Sequence, residues 1–300
     1  MKVLLAFPQR DQQTGVYIKR AFEELGCELS ILDPKIEPDK LYSRYREVKP
    51  DLVFISRTCA LLDGINQIKT DNPYAKIVCW NVDKRNSVKE FGQGMLRLFD
   101  ACTTFYTIAR GNIEEYKQIC HNTDVRFLQE ACDTIDHGLV ELTSNTHKIY
   151  DCDVAFIGSC TSTHPGREDL LTHLKNQDFN FRHHDNIFHN DHSKAVQCAK
   201  INISHNGWDS IELSMSARVY RIMCAGGFML EQYCPGIEKW FDIGKDCDVY
   251  HSKEECVDKI KYYLTHDDER LKIAEHGRKT VIENHTFTHR MREVLKDMSI

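Results

Sequence analysis

Apolar residues recur along the first half of the chain in two alternating rhythms. Short runs at 3–7, 28–32, 51–55, 76–80, 101–106 and 125–128 read as strands. Between them lie stretches with apolar residues at helical spacing. The first has Val16, Ile18, Ala21, Phe22 and Leu25 on one face, with Gly26 as its stop, and others fall at 39–48, 61–69 and 113–120. Continuous apolar runs fit buried strands, whereas three-and-four spacing fits one face of a helix. Strands alternating with helices predict a parallel sheet covered on both faces.

The apolar period is lost at 141–150 (ELTSNTHKIY), which predicts a boundary there, with domains at 1–145 and 146–300. A second alternation follows. Strands are expected at 152–157, 179–182, 201–204 and 228–230, and helices at 166–175, 192–199, 210–225, 253–265, 267–283 and 286–297. The expected fold is therefore α/β, two Rossmann-like domains in tandem. Ligands in such sheets bind beyond the carboxyl ends of the strands, so the active site is expected in a cleft between the facing domains.

Composition narrows the class. The 300 residues are 41% apolar and 28% charged, as in an ordinary globular enzyme. Net charge is −6 and no Lys/Arg block stands out, so nucleic acid is not an expected partner. The apolar run at 3–7 is far shorter than a signal sequence or a membrane span, and the chain is expected to stay in the aqueous phase of the cytoplasm. The thirteen cysteines are odd in number and include no Cys-x-x-Cys pair, which fits reduced thiols used as small apolar side chains. Two glycosylation sequons, at 202–204 and 284–286, carry no weight without export.

The common nucleotide signatures are missing: no Gly-x-Gly-x-x-Gly follows a strand, and there is no phosphate-binding Gly-x4-Gly-Lys-Ser/Thr loop. Gly-x-Ser-x-Gly is missing as well, which disfavours an ordinary α/β-hydrolase. The informative segment is SIELSMSARVYRIMCAGGFML at 210–230. Ser214 and Ser216 suit a helix N-terminus, where free amides and the macrodipole favour a diphosphate. Arg218 follows within a turn and can add charge-assisted bonds to the same group, and Tyr220 is grouped with them. Gly226 and Gly227 let the helix stop tightly before the next strand, which places Glu231 at that strand's carboxyl end. The same spacing also describes a capped amphipathic helix with surface arginines.

The segment SARVYRIMCAGGFML at 216–230 resembles the spore-maturation (CgeB-like) glycosyltransferases of the GT-B fold. The resemblance continues through YCPGIE at 233–238, EECVDKIKYYL at 254–264, RLKIAEHG at 270–277 and HTFTHR at 285–290. Upstream it is patchier, at DVAFIG (153–158) with Arg167, FDACTT (99–104) and FLQEACD (127–133).

That resemblance implies a glycosyltransferase whose C-terminal domain binds a nucleoside-diphosphate sugar. UDP- or GDP-sugar is the expected co-substrate, with no permanently bound cofactor. Arg218 and the preceding amides would hold the diphosphate, and Gly158, Ser159, His164 and Arg167 would line the same site. One departure stands out: where many retaining GT-B enzymes carry Glu before the small-residue pair, this chain has Arg221. A guanidinium accepts no hydrogen bond, so the ribose-binding role moves to Glu231 or Glu238 and the stereochemistry stays open.

Transfer needs a stabilised leaving diphosphate and, if inverting, a base at the acceptor hydroxyl. Cations and helix amides can do the first without a metal, and no metal residues are assigned. Asp11 and Asp83 follow expected strands of the N-terminal domain and are the candidate bases; both also fit surface or capping carboxylates. Histidines crowd 173–205, with His189 and His192 at i, i+3, but no closing pair completes a metal set and a polar surface accounts for them. The last helix is expected to pack back on the first domain. The acceptor would be a glycan, protein or small molecule. Two other readings remain: a phage-type DNA-base glycosyltransferase, and a non-catalytic nucleotide- or sugar-binding GT-B protein.

Overall fold

The structure, a computed structural model, describes residues 1–11, 13–83, 85–160, 166–208 and 210–299. The chain forms two compact units, Met1–Gln129 with Phe287–Ile300, and Glu130–Thr286. No described helix is long and apolar enough to cross a membrane.

The first unit is built on strands β1 (Lys2–Ala6), β2 (Glu28–Leu32), β3 (Leu52–Ser56), β4 (Ile77–Asn81), β5 (Thr104–Thr107) and β6 (Asp124–Phe127). They pair in the order β2-β1-β3-β4-β5-β6, all parallel. Helices α1 (Thr14–Glu24), α2 (Leu41–Val48), α3 (Leu62–Asp71), α4 (Gln93–Ala101) and α5 (Ile113–Ile119) connect them. Strands β3 and β4 are buried at every position, which is why they read as unbroken apolar runs.

Side chains two apart share a face. Leu4, Ala6, Val53, Ile55, Ile77 and Cys79 meet the apolar sides of α2 to α5. The opposite face carries Phe54 and Trp80, covered by Phe22 of α1 (5.6 Å between rings) and by Phe287 (6.1 Å). Phe287 opens the last helix of the chain, Phe287–Asp297, which therefore closes a face that the first 129 residues leave bare. Polar bonds fix it there: Tyr106 Oη donates to Asp297 (2.6 Å), Arg126 pairs with the same carboxylate (2.9 Å), and Arg290 Nε donates to the Gln129 carbonyl (2.9 Å).

The second unit contains α6 (Ser144–Tyr150), β7 (Cys152–Ile157), α7 (Arg167–Lys175), β8 (Phe181–His184), α8 (His189–Cys198), β9 (Ala199–Ser204), α9 (Ala217–Cys224), β10 (Met229–Gln232) and β11 (Asp248–Tyr250). Helices α10 (Lys253–Tyr263) and α11 (Asp267–Asn284) follow, and the last helix becomes α12. Its sheet runs β11-β10-β9-β7-β8, again parallel. Val154, Phe156, Ile201, Ile203, Phe228 and Leu230 form the core with α7, α10 and α11.

Three expectations need correction. The units divide after Gln129 and after Thr286, not at 145/146. Residues 144–150 form α6, held by a capping box between Thr143 and Thr146; only Thr146 of that helix is buried, so no apolar period marks it. The helix expected at 210–225 starts at Ala217, with Ser216 as its N-cap and Leu213 at φ 49°, outside helical space. Two elements, α4 and β11, have no clear sequence signal. Gly92 and Gly94 flank the start of α4, and β11 is three residues long and opens on Asp248.

Candidate donor site in the second unit

In the second unit's sheet the chain steps from β7 outward to β8, then returns to the other side of β7 with β9. Ligands gather beyond the carboxyl ends of strands at such a reversal. Here β7 ends in Gly158 at φ +139°, a conformation suited to glycine. A Cβ at Gly158 would stand 2.5 Å from Nη2 of Arg218. The missing side chain is what lets that guanidinium reach the strand end. Arg218 Nε donates to the Ile157 carbonyl (2.7 Å), Nη1 donates to Ser204 Oγ at the end of β9 (3.4 Å), and the group lies 4.7 Å from the Phe156 ring centroid.

Arg167, the first residue of α7, reaches the same place. Its Nη1 donates to the Ser159 carbonyl (2.6 Å), its Nη2 to the His205 carbonyl (2.9 Å), and it too lies over Phe156, at 5.4 Å. Arg167 is buried and Arg218 part-buried, and both are bonded to neutral carbonyls. Burial first, and then the neighbouring Arg167, push the Arg218 guanidinium down to about 9, still charged at neutral pH. Burial likewise lowers Arg167, and Glu231 at the end of β10 opposes the shift in both. Arg221 adds a third positive charge to the field at Arg218. Three guanidiniums against one carboxylate leave the electrostatic field at this strand end net positive. Such an arrangement favours an anion, because charge interactions strengthen where water is excluded.

The other expected residues fall in different places. Ser216 accepts from the Arg218 amide (3.3 Å) and caps α9. Ser214 is not at a helix start: it is buried in the preceding loop, its Oγ donating to the Trp208 carbonyl (2.9 Å). Tyr220 is buried against the rings of Phe241 and His285. Gly226, at φ +80°, and Gly227 end α9: their amides bond the carbonyls of Met223 and Ile222, the paired bonds of a glycine C-cap. Glu231 is fully buried, and Glu238 is exposed beside Tyr233. His164 lies outside the described residues.

Among the described residues, His189 and His192 of the histidine-rich stretch do not converge. His189 faces Asp136 (3.2 Å), while His192 is buried beside the His137 ring. Burial, then Arg221 and Arg218, push His192 down to about 3. An unfolded histidine titrates near 6.5, so between the two values the unfolded chain binds the extra proton. Stability is thus fully present above about pH 6.5 and falls as the pH drops toward 3, by up to about 1.4 kcal/mol per unit from this group. In urea denaturation across pH 4 to 7, His192→Gln is expected to flatten this dependence relative to wild type. Parallel curves would remove the assignment.

The first unit holds a separate cavity of about 410 Å³ at the carboxyl ends of β1, β3 and β4. Ser56, Arg57, Trp80 and Asp83 line it, with Thr14 and Gly15 from the start of α1. Asp83 pairs with Arg57; Asp11 is exposed and is not part of the lining. Sequence reasoning missed Arg57 and Phe156. Their signal, a residue just beyond or just before the end of an apolar strand, is common and indicates nothing by itself.

Two parallel α/β units, each with polar side chains at the carboxyl ends of its strands, define a GT-B type fold. It is similar to the Anabaena protein Alr3699/HepE solved with UDP-glucose, with TM-score 0.69 and 11% identity over 100% of this chain and 99% of that one. It is also similar to the sucrose-phosphate synthase of Thermosynechococcus elongatus, with TM-score 0.71 and 8% identity over 99% and 98%. An alpha-glucosyltransferase solved with UDP-glucose and DNA containing an abasic site gives TM-score 0.66 and 8% identity over 100% and 99%. No curated protein matches the sequence. The glycosyl transferase-like family matches residues 140–296, more than half of the chain, and the chain belongs to that family. It is a glycosyltransferase.

Proposed function

We propose that this enzyme moves a sugar from a nucleoside diphosphate to an acceptor hydroxyl without a catalytic metal, and that the second unit binds the donor. The observation that carries the reading is the pair of guanidiniums, buried Arg167 and part-buried Arg218, at the ends of β7 and β9. They are placed to neutralise charge as it develops on a leaving diphosphate, the role a divalent cation plays in other transferases. The Gly158–Ser159 turn and the capped start of α9 complete the anion cradle. UDP is the nucleotide to try first, since the Anabaena relative was solved with UDP-glucose.

Glu231, buried at the end of β10 and opposing the downward shift of both arginines, is assigned to balancing them, and Glu238, at the surface, is the carboxylate left for ribose. The cavity of the first unit is assigned to the acceptor, with Asp83 the better placed of the two candidate bases. Membership of the CgeB-like branch rests on the ordered motifs from 216 to 290. Thirteen free thiols support a cytoplasmic setting.

The test is thermal denaturation against UDP-, GDP-, ADP- and TDP-sugars. One nucleotide class is expected to raise Tm by several degrees at saturating ligand, since binding the native state alone stabilises it by about 2.7 kcal/mol at a hundredfold excess over Kd. No response to any donor would overturn the reading. The DNA-modifying alternative has a structural neighbour with DNA bound, and a net charge of −6 weighs against it. Gel shift on duplex DNA near physiological salt separates the two.

A further inference from the structure

Outside the donor site, the described residues bring three different metal-ligating side chains together. His147 of α6, Asp151 at its C-cap and Cys198 at the end of α8 place their ligand atoms within 4.8 Å of one another. His147 Nδ1 lies 2.8 Å from Asp151 Oδ1 and 4.0 Å from Cys198 Sγ. In a tetrahedral zinc site, bonds of about 2.0–2.3 Å put neighbouring donor atoms about 3.5 Å apart. Changes of about 0.5–1.3 Å in the donor-atom separations, within reach of side-chain rotation, would therefore set the three at the corners of one tetrahedral face.

The backbone fixes this arrangement. Asp151 immediately precedes β7 and Cys198 immediately precedes β9, and the first residues of those strands, Cys152 and Ala199, are register partners. His147 stands four residues before Asp151, one helical turn back on the same face. Gln197, next to Cys198, clamps the segment leading into α6: its Oε1 accepts from the Val140 amide (2.9 Å) and its Nε2 donates to the Val140 carbonyl (3.1 Å). Two ligands on paired strand starts and a third on a tethered helix make a site that needs little ordering to bind.

We propose that His147, Asp151 and Cys198 form a zinc site with its fourth position open to water, pinning α6 to the base of the second unit's sheet. The donor set of thiolate, imidazole and carboxylate selects zinc over magnesium or calcium, which prefer all-oxygen shells. On binding, the thiol proton passes to solvent and the sulfur becomes the metal-bound thiolate. The site is not catalytic. It lies at the amino ends of β7 and β9, whereas Arg218 and Gly158 lie at their carboxyl ends. At about 3.3 Å per residue, the six residues of β7 separate the two sites by roughly 15–20 Å.

The experiment is titration of the full chain, stripped with a chelator, with zinc chloride alone, and with cobalt(II) to report sulfur ligation. One ion per chain is expected, with a near-ultraviolet thiolate-to-cobalt band and a higher Tm. Cys198→Ser should abolish the band, His147→Gln and Asp151→Asn should each weaken binding about tenfold or more, and Cys59→Ala should change nothing. The two substitutions at half-exposed His147 and Asp151 keep the test valid if Cys198→Ser folds poorly. Zinc affinity unchanged in those two variants, or a cobalt band that survives Cys198→Ser, would overturn the proposal. Donor binding by the stripped protein is expected to be unaffected, so the outcome is independent of the transferase reading.

Discussion

Arg218→Ala is expected to lower kcat/KM for sugar transfer or donor hydrolysis by about 10²–10³ while leaving the protein folded. Its guanidinium sits at the ends of β7 and β9, held by the Ile157 carbonyl and Ser204 Oγ and lying over the Phe156 ring. Burial disfavours its charge and the nearby Arg167 disfavours it further, so removing it relieves an electrostatic cost even as it opens a small void. The signature is therefore a large loss of activity and nucleotide affinity with little change in Tm. Arg218→Lys should recover only part of the loss, because an ammonium cannot make the same planar, forked contacts. Activity within about threefold of wild type in the alanine variant would remove Arg218 from the mechanism.

The largest effect on stability is expected at Gly277, in the middle of α11. Gly→Ala inside a helix ordinarily gains about 1 kcal/mol from propensity. Here a Cβ would overlap the backbone carbonyl oxygen of Asp246 and come 2.9 Å from Met223 of α9. The Asp246 segment cannot step aside easily: its carboxylate accepts from the Asp242 amide (2.8 Å) and Thr280 Oγ (2.8 Å) and sits 2.5 Å from His276 Nδ1. Overpacking against fixed backbone costs about 1–3 kcal/mol or more, so the clash outweighs the propensity gain. Gly277→Ala should lower stability in urea denaturation by roughly 2 kcal/mol and loosen α9, the helix that carries Arg218. A variant as stable as wild type would show that α11 can shift away from Asp246 at no cost.

Much of the local structure at the candidate donor site was legible because its parts are local. Ser216 before Ala217 and Arg218 marks a capped helix start, and Gly226-Gly227 marks its end. Both depend on backbone geometry over a few residues, which sequence encodes directly. Ser214 misled for a tertiary reason: Leu213 turns into the left-handed region and its amide bonds the Pro235 carbonyl, so the helix cannot extend upstream. Glu231 was correctly placed at a strand end. Its full burial, however, depends on the sheet, where it is paired with Ser204 of β9 on one side and Val249 of β11 on the other. Asp11 and Asp83 looked equivalent in sequence, since each follows a strand, and only the packing of the loops put Asp83 in the cavity wall.

The sequence by itself determined the succession of buried strands and amphipathic helices, hence two parallel α/β sheets, and the cap and glycine stop that bound α9. Those features follow from short-range sterics, hydrogen bonding and the spacing of apolar residues. Tertiary structure alone decided which charges meet. Arg167, Arg218 and Glu231 are scattered over more than sixty residues, and strand order in the second sheet brings them to one edge while α12, from the far end of the chain, returns to close the first. The physical reason is that burying a charge is costly unless others lie near it, and nearness across strands depends on the whole sheet and not on any segment of sequence.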